Sequence, residues 1–166
     1  TVWDVATSPD GRWVVSAGDK TLQLWDTAGR RLHTLANPEG QVRAVAFTPD
    51  SRGMIFGSNV GTLEIWEWGE GPLSEMRRTQ VLNGHAASVY AVAVSPDGQT
   101  IASAGDDKTI KLWTRNGELR HSFFAHEERI WKLEFTPDGK QLVSASEDGT
   151  AKLWDIEGTA RATFSH

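Results

Sequence analysis

The chain has 166 residues, 39% apolar and 23% charged, with a formal net charge of −5. That profile fits a soluble globular domain with a real core and argues against a general nucleic-acid binder. With no cysteine, disulfides, thiolate catalysis and cysteine-based zinc sites are excluded, and no run approaches the ~18 apolar residues of a membrane span.

In chain order, the first unit carries "SPDG" at 8 and "DKTLQLWD" at 19–26. The second has apolar Val42, Val45 and Phe47, then "TPDS" at 48 and "VGTLEIWE" at 60–67. The third runs from "NGHAASVYAVAVSPDG" through "TIASAG" and "DKTIKLWT" (107–114) to "ELRHSFFAH". The fourth has "IWKLEFT", "TPDG" at 136, "QLVSAS" and "DGTAKLWD" (148–155). Trp25, Trp66, Trp113 and Trp154 recur at intervals of 41, 47 and 41 residues, in phase with the Pro-Asp turns. Two markers keeping one period establish an internal repeat. Each unit predicts four short strands: an apolar strand, a Pro-Asp-Gly turn, a second strand, an Asp-Lys or Asp-Gly turn, the tryptophan strand, and a variable fourth. No segment has helical length and period, so the fold class is all-β, with the period of a propeller.

The Gly-His of "NGHAASVYAVAVSPDG" and the Trp-Asp of "KLWD" make the chain similar to the WD40-repeat family along its whole length, most specifically in units three and four. The resemblance implies a WD40-type β-propeller of four four-stranded antiparallel blades: residues 1–40, 41–86, 87–127 and 128–166. Blade two is degenerate: Val60 replaces the turn aspartate, "NPEGQ" stands where Gly-His is expected, and the outer hairpin is longer.

Serine, histidine and aspartate together raise the question of a hydrolase triad. In the family, the resemblance implies instead a hydrogen-bonded tetrad of histidine, strand-two serine, turn aspartate and strand-three tryptophan. This gives His85, Ser103, Asp107 and Trp113 in unit three and His126, Ser144, Asp148 and Trp154 in unit four. Unit one has Ser16, Asp19 and Trp25 without an upstream histidine, and His166 stands where it would serve a following unit. Buried polar groups need partners, and a constellation repeated in phase with the fold reads as structure, whereas catalysis needs one exposed nucleophile in one pocket. No other chemistry is indicated. "HEERI" (126–130) lacks the second histidine of a zinc-protease helix, and Asp106-Asp107 lacks the alternating ligands of a calcium loop. No phosphate loop or nucleophile elbow occurs. The Arg30-Arg31 and Arg77-Arg78 pairs read as solvated loop charges. We therefore expect no catalytic residue, metal or cofactor.

First strands place apolar residues at i, i+3 and i+5, as in Val89, Val92 and Val94, which suggests a bulge that re-aims one side chain. The re-aimed residues are Trp3, Arg43, Tyr90 and Trp131. The resemblance puts them on the narrow top face, with Thr1, Gln41, Ser88 and Arg129 two residues earlier and Gly18, Asn59, Asp106 and Glu147 before the turn aspartates. Aromatic residues and arginine favour interfaces, so Trp3, Arg43, Tyr90, Asp106, Arg129, Trp131 and Glu147 form the expected protein- or peptide-binding set. The expected protein is a cytoplasmic, non-catalytic scaffold without specific nucleic-acid or membrane partners. A chain starting at Thr1 and holding four blades fits three completions. It is a segment of a longer multidomain protein, a half-propeller that homodimerises into eight blades, or a closed four-blade ring.

Overall fold

The computed structural model describes residues 1–36, 40–69 and 75–166. Their strands form four antiparallel sheets, each a four-stranded meander, and no α-helix occurs among the described residues. Blade one is β1 (Val2–Thr7), β2 (Trp13–Gly18), β3 (Thr21–Asp26) and β4 (Arg31–Ala36). Blade two is β5 (Val42–Phe47), β6 (Gly53–Ser58), β7 (Thr62–Glu67) and β8 (Arg77–Asn83). Blade three is β9 (Val89–Val94), β10 (Thr100–Gly105), β11 (Thr109–Thr114) and β12 (Leu119–Phe124). Blade four is β13 (Ile130–Phe135), β14 (Gln141–Ser146), β15 (Thr150–Asp155) and β16 (Ala160–Ser165). Residues 37–39 of "NPEGQ" and residues 70–74 of the blade-two outer hairpin lie outside the described residues.

The Pro-Asp turns form for a local reason repeated four times. The preceding Ser or Thr hydroxyl donates to the turn aspartate, as from Ser8 to Asp10 at 2.6 Å and from Thr136 to Asp138 at 2.6 Å. The same carboxylate accepts the backbone N–H two residues on, from Arg12 and Lys140 at 3.1 Å. Gly11, Gly98 and Gly139 supply the positive φ this turn needs. Blade two uses Ser51 at φ 58° instead. Its hydroxyl accepts the Asp10 N–H at 3.0 Å, so the strained residue also ties blade two to blade one.

The core lies between blades. Leu22 and Leu24 of blade one meet Val42, Met54 and Phe56 of blade two. Ile55, Leu63 and Ile65 meet Val89, Ile101 and Trp113 of blade three. Ala102, Ile110 and Leu112 meet Ile130, Leu133 and Leu142 of blade four. The inner strands β1, β5, β9 and β13 neighbour one another in that order, and the sheets stand as an open arc. The outer faces of the end blades are accordingly bare: Val2 and Val5 are 63% and 62% exposed, and Phe164 is 58% exposed.

Every inner strand carries a bulge at its top end. Register shifts between Val2 and Asp4, Val42 and Ala44, Val89 and Ala91, and Ile130 and Lys132 leave Trp3, Arg43, Tyr90 and Trp131 as the extra residues. The three-residue apolar step is the sequence trace of this geometry. In blade three, Gly105 lies against the bulge, where an added Cβ would meet the Ser88 carbonyl oxygen 1.8 Å away. Gly105→Ala is therefore expected to force the backbone apart at a cost of about 1–3 kcal/mol or more. A denaturant midpoint equal to wild type would contradict that.

Candidate functional site

Two clusters hold the chemistry-bearing side chains. The first is the repeated Ser-His-Asp-Trp constellation. His85 comes from the connection between β8 and β9, Ser103 from β10, Asp107 from the following turn and Trp113 from β11. The His85 Nδ1 lies 2.8 Å from Asp107, its Nε2 lies 2.7 Å from Ser103 Oγ, and the Trp113 indole N–H donates to the same Oγ at 2.8 Å. Blade four repeats it with His126, Asp148, Ser144 and Trp154 at 2.9, 2.7 and 2.8 Å. An ionised aspartate takes a proton only from Nδ1–H, so a neutral imidazole accepts the serine O–H at Nε2. One direction of donation then satisfies the whole chain, from indole to serine to histidine to carboxylate.

This is also the hydrogen-bond order of a serine-hydrolase triad, but the surroundings differ. Ser103 and Ser144 are 0% exposed, and each oxygen is engaged on one side by imidazole and on the other by indole. A nucleophile must meet its substrate, and these do not reach solvent.

Donors around each carboxylate set its titration. Burial opposes ionisation of Asp107, but His85, the Thr109 hydroxyl and the Ala86 N–H outweigh it and hold the carboxyl well below its usual range. At Asp148 burial is likewise overcome by Thr150, His126 and the Glu127 N–H. Burial lowers the pKa of His126, partly offset by the Asp148 carboxylate.

Blades one and two depart from this pattern. In blade one the Trp25 indole N–H donates to Ser16 at 3.0 Å. Asp19 does not join them: it accepts from the Trp3 indole at 3.3 Å and from the Thr1 amine at 2.6 Å. The register pairs Ser16 with Gln23 and Ser103 with Lys111. The turn after β2 is thus one residue shorter than the turn after β10, and Asp19 faces the top of the blade. In blade two Phe56 stands in the serine position, and the Trp66 indole donates to buried Glu64 at 2.8 Å. Glu64 in turn pairs with Arg78 at 3.2 Å, so Arg78, half exposed on strand β8 rather than in a loop, also balances the buried carboxylate. The side chain of His166 is exposed at the end of the arc.

The second cluster is the top face. The Arg43 guanidinium lies 3.8 Å over the Trp3 ring and 5.8 Å from Tyr90. Tyr90 and Trp131 stand 5.0 Å apart, and Arg129 lies 5.1 Å over Trp131. Asp106 and Glu147 both pair with Arg129, at 3.2 and 2.8 Å, so Asp106 is a half-buried ion-pair member and not a freely exposed contact. The four bulge residues, with Arg129, form one band across four blades over a central cavity of about 880 Å³. Trp3 and Trp131 are 44% and 46% exposed. A feature not foreseen from sequence is Asp4, whose carboxylate accepts the Val45 N–H across the blade boundary at 2.9 Å. Among the described residues no group of acidic and histidine side chains is arranged to hold a metal.

A pattern described as WD domain, G-beta repeat matches residues 1–26, 76–114 and 117–155. The chain is 28% identical over 116 residues to the ribosome biogenesis protein WDR12 homolog of Drosophila persimilis, covering 68% of this chain and 27% of that protein. It is 28% identical over 113 residues to the transcriptional corepressor LEUNIG_HOMOLOG of Arabidopsis thaliana, covering 68% of this chain and 14% of that protein. It is 32% identical over 124 residues to the nuclear distribution protein PAC1 of Arthroderma otae, covering 67% of this chain and 26% of that protein. The matched segments span about a quarter or less of these relatives.

Replacing Ser103 by alanine strands the His85 Nε2 and the Trp113 N–H in the core. The expected loss is about 1–3 kcal/mol of unfolding free energy, measured by urea titration, and no loss would refute the bracing role. Acid adds a second test. His126 titrates below its ordinary 6.5, so the unfolded chain takes up that proton first and stability falls as pH drops below that value. Asp107 titrates below its ordinary 3.8, so its contribution is present above that value and is lost as pH falls further. The melting temperature should decline in two stages below neutrality; a constant value between about pH 7 and pH 4 would contradict the first.

Proposed function

The chain belongs to the WD40-repeat family, and from that premise we propose that it is a non-catalytic platform that docks a protein or peptide on its top face. The observation that carries this reading is the continuous band of Trp3, Arg43, Tyr90, Arg129 and Trp131. Each blade contributes to it through the same bulge, and its two tryptophans stay nearly half exposed over a concave centre. Aromatic rings and guanidinium groups bring large contact area with few torsions to fix, which is why they dominate binding hot spots. The interblade core and the buried tetrads keep that band rigid, so little ordering cost is left at association.

A second reading concerns assembly. Val2 and Val5 on one end of the arc and Phe164 on the other occupy faces that, inside the arc, are covered by a neighbouring blade. Further blades of the same polypeptide or a second copy would cover them by the same packing. The blade-one turn bears on the second option. Asp19 is turned toward Trp3, so a histidine from a second copy would meet Ser16 and Trp25 without the carboxylate that orients His85 and His126.

The platform reading is tested by affinity capture with the double variant Arg43→Ala, Trp131→Ala. We expect the partners recovered by wild type to fall at least about tenfold, with an unchanged melting temperature, while Arg120→Ala on the outer strand β12 recovers them normally. Equal recovery by wild type and double variant would overturn the top-face assignment.

A further inference from the structure

The top face holds two arginines in opposite electrostatic states. Arg129 is neutralised twice, by Asp106 and by Glu147. Arg43 has no carboxylate partner among the described residues. Its one hydrogen bond goes from Nη2 to the neutral amide oxygen of Gln41 at 2.5 Å, and its Nε is buried with no acceptor. Asp19 feels the charge through space but accepts the Trp3 indole N–H. A half-buried cation is ordinarily paired, and Arg115, about a third exposed, follows the rule with Asp50 and Glu67. Arg43 is instead held against the Trp3 face, where the ring quadrupole offsets part of its lost hydration, and it keeps N–H donors free at the edge of the central cavity.

We propose that Arg43 is the recognition site for an acidic side chain of the docked segment, with Trp3 and Tyr90 walling the carboxylate. The inference rests on the platform reading and names the chemistry of its partner: a peptide that presents Asp or Glu toward the Trp3–Arg43–Tyr90 part of the band. Carboxylate and guanidinium match in geometry and charge, and the surrounding rings exclude water and strengthen the pair. A dianionic phosphate suits this place less well. It needs more than one unpaired cation, the neighbouring Arg129 is already neutralised, and Asp106 and Glu147 would repel it.

The test is a selection of displayed ten-residue random peptides on the immobilised protein, read by sequencing, followed by fluorescence-anisotropy titration of selected peptides. Wild type is expected to enrich one position for Asp or Glu, and conversion of that residue to Asn or Gln should weaken binding roughly tenfold. Arg43→Gln should lose the acidic preference while still selecting aromatic or apolar positions, and Arg43→Glu should select Lys or Arg at the same position. Circular dichroism melting confirms that each variant folds. Peptides that compete at the band but show no acidic preference, or the same preference in Arg43→Gln, overturn the charge assignment and leave the platform reading standing. Selection of phosphorylated over acidic peptides in a parallel phosphoserine library also overturns it. Failure to enrich any peptide sensitive to Trp131→Ala overturns both.

Discussion

The hydrogen-bonded chain from indole to serine to imidazole to carboxylate is the constraint that holds blades three and four of this structure together. Each tetrad joins the connection that enters a blade to that blade's second strand, turn and third strand, as His85 does for Ser103, Asp107 and Trp113. Only one proton arrangement satisfies all four groups, so the connection into the blade has one seat. That fixes where the inner strand begins, and the inner strand carries the bulge. The tetrads thus seat the strands that carry Tyr90 and Trp131, while Trp3 and Arg43 stand on the same bulge in blades without a full tetrad.

Chemistry and architecture separate here by exposure rather than by residue type. The same three side chains can activate a nucleophile when the serine opens to a cleft. In this fold an indole N–H caps the serine oxygen and the inter-blade core closes over it, which converts a proton relay into a brace. The departures make the same point. Where Phe56 removes the serine, Trp66 keeps a buried acceptor by turning to Glu64, and Arg78 balances the charge. The demand for a partner at the buried indole persists although the tetrad does not.

Much of this was legible in the sequence because it repeats. The tryptophan and Pro-Asp markers keep one period, the i, i+3, i+5 spacing signals a bulge, and equal histidine-to-tryptophan spacing in units three and four marks equivalent tetrads. What stayed hidden lies where one unit differs from its neighbours. The serine-to-tryptophan spacing is one residue shorter in unit one, a small signal with a large outcome, since a shortened turn carries Asp19 from the brace to the top face. The pairing of Asp106 with Arg129, and the reach of Asp4 to the Val45 N–H, depend on side chains meeting across blades. No spacing along one chain encodes such meetings. The same holds for Arg43: its residue type suggested an interface, but only the contacts show it standing without an anion.

Hydrogen exchange at the indole N–H groups tests the bracing role most directly, followed by nuclear magnetic resonance with each tryptophan assigned. If the tetrads hold the blades, the Trp113 and Trp154 indole protons exchange only when the whole protein unfolds. Their opening free energy should match the global value and fall with it in denaturant, while the Trp3 indole, held only by Asp19 at the surface, exchanges far faster. Exchange of Trp113 or Trp154 through small local openings, independent of denaturant, would show that the tetrads are incidental to the fold.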